Sequence, residues 1–141
     1  MKKKYEFFDH TADAKFKAYG KTLEEAFANS ALATTAIMTD ITKIKPVTIR
    51  NMHIEAKTKE ALLYDFLEEI LYYLDTEGFL LSNVKEIHIL KTEKYVLDVI
   101  LEGDYAEKGY EVNTAIKAVT YNDMNIEEKE NEVTIQVVHD I

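Results

Sequence analysis

The most constraining stretch of this chain is the segment from Lys59 to Thr76. There Leu62, Leu63, Phe66, Leu67, Ile70, Leu71 and Leu74 recur at helical spacing, and Gly78 follows as a stop signal. Such a broad apolar stripe demands a partner layer to bury it. The flanking sequence supplies mostly strand-like segments. Tyr5–Phe8 is short and aromatic, and residues 14–19 alternate apolar Ala14, Phe16 and Ala18 with Lys15, Lys17 and Tyr19. A second helix is expected from Leu23. Thr22 and Glu25 have capping-box spacing there, and Leu23, Ala26, Phe27, Ser30, Ala31, Thr34, Ile37 and Met38 fall on one face, ending before Pro46.

Further strands are expected over residues 47–56, 84–90, 95–102, 115–121 and 132–138. Residues 91–93 read as a hairpin turn, 103–113 as loop, and 127–131 as a turn-rich connection. A slip in alternation at Val47, Ile49, Met52, Ile54 and Ala56 suggests a bulge or an irregular edge. Two helices among hairpin-connected strands give an α+β fold, with both helices packed on a mixed or antiparallel sheet. No linker, repeat or low-complexity tract divides the 141 residues, so one domain spanning 1–141 is expected.

Charge and composition narrow the function. The formal net charge is −9, and Arg50 is the one arginine among 17 basic residues. A surface this acidic repels a phosphate backbone, which disfavours direct nucleic-acid binding and favours cations or basic protein surfaces. The chain has no cysteine, which removes disulfides, thiolate metal sites and Cys nucleophiles. With no apolar leader and no long apolar run, a soluble cytoplasmic protein is expected. The four glycines are isolated, so no phosphate-cradling loop is present, and neither G-x-S-x-G nor H-E-x-x-H occurs.

Three polar interruptions remain as candidate chemistry. Asp9-His10-Thr11-Ala12-Asp13 separates two strand-like segments, and its carboxylates and hydroxyl are hard oxygen ligands for Ca²⁺, Mg²⁺ or Mn²⁺. The same residue types also serve to satisfy backbone groups in a strand connection. His139-Asp140-Ile141 ends the sequence, bringing an acidic side chain beside a main-chain carboxylate. A frayed tail is the competing reading, against which the apolar Ile141 argues for docking. Lys117 lies in a strand-like run with Val119 and Tyr121, either snorkelling to water or flanking an anionic site.

Taken in order along the chain, these segments resemble the archease family. The resemblance is carried by Asp9-His10-Thr11-Ala12-Asp13, Gly20-Lys21-Thr22-Leu23-Glu24-Glu25-Ala26-Phe27, residues 60–67, Lys117-Ala118-Val119-Thr120-Tyr121 and Asp140-Ile141. It implies a compact α+β helper of the tRNA-splicing RNA ligase, one that promotes GTP-dependent guanylylation and multiple turnover without being an enzyme itself. It further implies one divalent cation held by Asp13, Asp140 and Ile141, and a functionally important Lys117. Asp9 and His10 are then supports, and RNA is met only through the ligase. The family usually has His where this chain has Asn122, so proton transfer at that position is not expected here. A stand-alone metal-dependent hydrolase and a chaperone-like adaptor, using aromatics such as Tyr72 and Tyr73, are the competing classes.

Overall fold

The computed structural model describes residues 3–8 and 13–141. The chain order is β1 (Tyr5–Phe8), β2 (Asp13–Gly20), α1 (Leu23–Met38), a 3₁₀ turn (Ile41–Lys43), β3 (Thr48–Ala56), α2 (Lys59–Glu77), β4 (Phe79–Lys91) and β5 (Tyr95–Tyr105). A second 3₁₀ turn (Ala106–Lys108), β6 (Ala118–Val119), β7 (Asn125–Lys129) and β8 (Glu132–Asp140) complete it. The expected α+β architecture is present, but its strands form two sheets, and every strand pair is antiparallel.

Both helices begin and end as their sequences dictate. The Thr22 and Thr58 side chains accept from the backbone N–H of Glu25 and Ala61, which satisfies donors that the first helical turn leaves orphaned. The Glu25 carboxylate reaches back one residue past the cap and accepts from the Lys21 N–H at 2.8 Å, a variant of the capping box. Gly78 stops α2 in the left-handed conformation, at φ 72°, where a side chain would be strained. The α2 stripe is buried from Leu62 to Leu71 and partly buried at Leu74, with Phe66 stacked on Phe27 of α1 at 6.2 Å between ring centroids.

The first sheet has β8 at its centre. Along one edge β8 pairs with β2, and along the other with β6 at its C-terminal end and β7 at its N-terminal end. Phe16 and Ala18 of β2 lie opposite Val137 and Ile135 of β8, and all four are fully buried against the helical layer. The second sheet, β3-β5-β4, packs against α2, and β4 also meets α1. Leu97, Val99 and Leu101 of β5 turn inward from it.

Several boundaries differ from the sequence reading. Residues 127–131 are not a turn-rich connection: Asn125–Lys129 pair with β8, and only Glu130 and Asn131 turn. β4 starts at Phe79 rather than 84, because Phe79, Leu80 and Leu81 form a continuously buried run without alternation. β5 runs on to Tyr105, beyond the expected end at 102. Of residues 115–121, only Ala118 and Val119 are strand. The slip in β3 is not a bulge, since its register with β5 is unbroken; Val47 and Ile49 are simply exposed apolar residues. The irregularities lie in β4, at Leu81/Asn83 and Val84/Glu86. Beside the first of them, a Cβ on Gly103 would fall 2.0 Å from the Leu80 carbonyl oxygen, so this close approach requires glycine.

Candidate cation site

The site follows from register. Because β2 and β8 are antiparallel, Asp13 at the start of one is the cross-strand partner of Asp140 at the end of the other. Their neighbours Ala14 and His139 are likewise opposite, and His139 is buried in the core. Side chains alternate between faces along a strand, so Asp13 and Asp140 share the opposite, outward face. Directly opposed residues have Cβ atoms about 4.5–5.5 Å apart, close enough for both carboxylates to reach one ion. Like charges in this relation repel unless a cation or donor lies between them. Two of the three proposed ligand positions are thereby brought together from opposite ends of the sequence.

β6 closes the row on the far side. Ala118 is the partner of Asp140 there, and its methyl group leaves the outward face open. The Lys117 N–H donates to the Asp140 carbonyl oxygen at 2.7 Å, and the Thr120 hydroxyl donates to the Val138 carbonyl oxygen at 2.7 Å. The end of β8 is thus held from both edges, a docked strand rather than a frayed tail, and Ile141 directly after it is half-buried. Lys117 is exposed and precedes the strand, not within it as the alternation suggested. Asp9, His10 and Thr11 lie outside the described residues.

Sequence patterning did not single out His139 as an anchor. Its ring is fully buried, 5.6 Å from Phe16, and Nε2 lies 2.9 Å from the Thr34 hydroxyl of α1. The Thr34 hydroxyl already donates to the Ser30 carbonyl oxygen at 2.9 Å, so it must accept from His139. This fixes the neutral Nε2–H tautomer and leaves Nδ1 without a partner. Burial lowers the imidazole pKa to about 4. The signal available in the sequence was its parity with Val133, Ile135 and Val137. Asn122, by contrast, sits exposed in the turn closed by the Met124 N–H to the Tyr121 carbonyl oxygen. Its side chain is not part of the buried core.

Among the described residues, no three His, Asp or Glu side chains gather as a complete cation cage. Asp13 and Asp140 supply hard oxygen donors, the chemistry that suits Ca²⁺, Mg²⁺ or Mn²⁺, and Ile141 adds main-chain oxygen immediately beyond. The donor set fits a hard divalent ion as a partial site, to which water or a partner would have to add the remaining ligands.

Known proteins share this arrangement of elements. The model of the Archease protein family (MTH1598/TM1083) matches residues 5–141. A protein named Protein archease from Sulfurisphaera tokodaii is 40% identical over 143 residues, covering 98% of this chain and 99% of that one. Its namesake from Thermococcus kodakarensis is 41% identical over 127 residues, covering 89% of each. The solution structure of Methanobacterium thermoautotrophicum protein 1598 superposes with a TM-score of 0.84 at 36% identity, covering 98% of this chain and 99% of that one. The crystal structure of an archease from Thermotoga maritima, described as a possible chaperone, shares the fold with a TM-score of 0.60 at 18% identity, covering 95% and 94%.

Proposed function

Because this chain belongs to the archease family, we propose that it is a metal-binding protein cofactor that activates the tRNA-splicing RNA ligase. It promotes the GTP-dependent guanylylation of the ligase and its multiple turnover, and it works in the cytoplasm on a protein partner. The observation that carries this reading is the register pairing of Asp13 with Asp140, with Lys117 attached to the same strand end. Two outward carboxylates on adjacent paired strands present a cation to another protein, not to an internal pocket.

Asp13, Asp140 and Ile141 would hold the ion, which supplies charge stabilisation for nucleotidyl transfer. The chain's own contribution is positioning. β2 and β6 fix the two sides of Asp140, and Lys117, exposed and bonded to it through its main-chain N–H, would supply a positive charge suited to a phosphate. The net charge of −9 favours reaching RNA through the ligase over binding it directly.

The test mixes the ligase, GTP and a divalent ion with and without this chain, and follows labelled guanylate on the ligase and joined RNA per ligase molecule. Guanylylation should accelerate, and several joining events per ligase should replace one. The chain alone should leave GTP and RNA ends unchanged, whereas turnover by the chain alone would indicate a hydrolase. The description of the Thermotoga maritima protein as a possible chaperone keeps an adaptor role as the second reading. An adaptor would retain its effect after loss of Asp13 and Asp140.

A further inference from the structure

Helix α2 carries six carboxylates and one lysine. Two of these charges are matched nearby: Lys59 pairs with Glu128, and Glu77 with Arg50 at 2.9 Å. On the solvent side, Asp65, Glu68, Tyr72 and Asp75 follow one another at spacings of three and four, which puts them in a single row. All four are exposed, and among the described residues Asp65, Glu68 and Asp75 take no ion pair. Tyr64 begins the same row and stacks on Tyr121, with 4.4 Å between centroids and 11° between planes, while Tyr121 stays 55% exposed. Burial and the nearby Asp65 carboxylate raise the pKa of the Tyr121 hydroxyl, which places that hydroxyl within the field of the acidic row.

Unmatched carboxylates beside exposed aromatic faces recognise cationic side chains. Guanidinium or ammonium groups pair with the acids and lie over the rings, and a guanidinium can also stack flat. An acidic row on a chain of net charge −9 is complementary to a basic surface, which is what a phosphate-handling protein presents. Tyr121 also lies two residues after β6, whose partner is the Asp140 end of β8. The Tyr121 end of this face is thus joined through β6 to the strand end that carries Asp140.

We propose that the exposed side of α2, Tyr64 to Asp75 together with Tyr121, is the surface that docks the ligase by receiving its arginine and lysine side chains. This rests on the ligase reading above. The test immobilises the ligase and measures association and dissociation of wild-type chain, D65N/E68Q, D65K/E68K and Y121A from low to high salt. D65N/E68Q should associate roughly tenfold more slowly at low salt and converge on wild type at high salt. D65K/E68K should be slower still, with the melting temperature of D65N/E68Q unchanged, and Y121A should dissociate faster, with a melting temperature lowered only by the loss of its stack on Tyr64. Wild-type binding matched by all variants at every salt concentration overturns the docking surface and leaves the ligase reading standing. Self-association that D65K/E68K disrupts while ligase binding persists assigns this face to a second copy and also overturns it. Failure of the wild-type chain to bind the ligase overturns the ligase reading, and the docking surface falls with it.

Discussion

Replacing Asp140 with alanine is expected to abolish stimulation of the ligase while leaving the fold intact. The side chain is exposed, and the strand around it is held through main-chain pairing to β2 and β6, so alanine removes no core contact. Indeed, the metal-free variant should be as stable as wild type to within about 0.5 kcal/mol, as for other surface substitutions. Cation affinity should fall at least roughly 10–100-fold, the loss typical of disturbing even the supports of a metal ligand. Asp13→Ala should remove stimulation equally, and the double variant should do no worse than either alone, since both residues serve one ion. Guanylylation assays with the three variants, alongside thermal melts, check this. A stable Asp140→Ala protein with full stimulation would refute the role assigned to the pair.

The second large effect is acid destabilisation through His139. In the unfolded chain its pKa is near the ordinary 6.5; in the folded protein burial lowers it to about 4. Above pH 6.5 both states are neutral and the full contribution to stability is present. As pH falls below 6.5 the unfolded state takes up the proton and the folded state does not, so stability is lost until the folded pKa is reached. That interval corresponds to about 3 kcal/mol, at about 1.4 kcal/mol per pH unit. The structural reason is specific: a second ring proton on Nδ1 would meet no acceptor in the core. Denaturant unfolding between pH 7 and 4 should show this slope in wild type. His139→Leu should lose that part of it, leaving the slopes set by the carboxylates and by His53, whose raised pKa acts in the opposite sense, whereas identical slopes would show that His139 ionises freely in the fold.

What the sequence revealed depended on whether a feature was local. The two helices were legible because Thr22 and Gly78 make their capping bonds within a few residues, and the α2 stripe repeats at its own period. β7 was not legible, because Asn125, Glu127, Glu128 and Lys129 are exposed and only Ile126 turns partly inward. Its strand character comes from pairing with β8, a tertiary contact that its composition does not announce. Val47 and Ile49 misled in the opposite direction, being apolar yet exposed. The candidate site lay between these cases. Asp13 and Asp140 were conspicuous as polar breaks beside apolar strands, but their adjacency depends on the pairing of the second strand with the last. Local reading could supply the residue types, while the resemblance of separated segments to one family linked them. The register of β2 against β8 now gives that link a physical basis.

The central claim is that Asp13 and Asp140 form one cation site, and Mn²⁺ titration followed by amide NMR tests it most directly. A paramagnetic ion bound there should first broaden the amides of Asp13, Ala14, Lys117, Ala118, Asp140 and Ile141, which the strand pairing places around the pair. Ca²⁺ or Mg²⁺ should compete the effect away, and Asp140→Ala should eliminate it. Broadening centred instead on Asp65, Glu68 and Asp75 of α2, or spread evenly over the acidic surface, would contradict the claim.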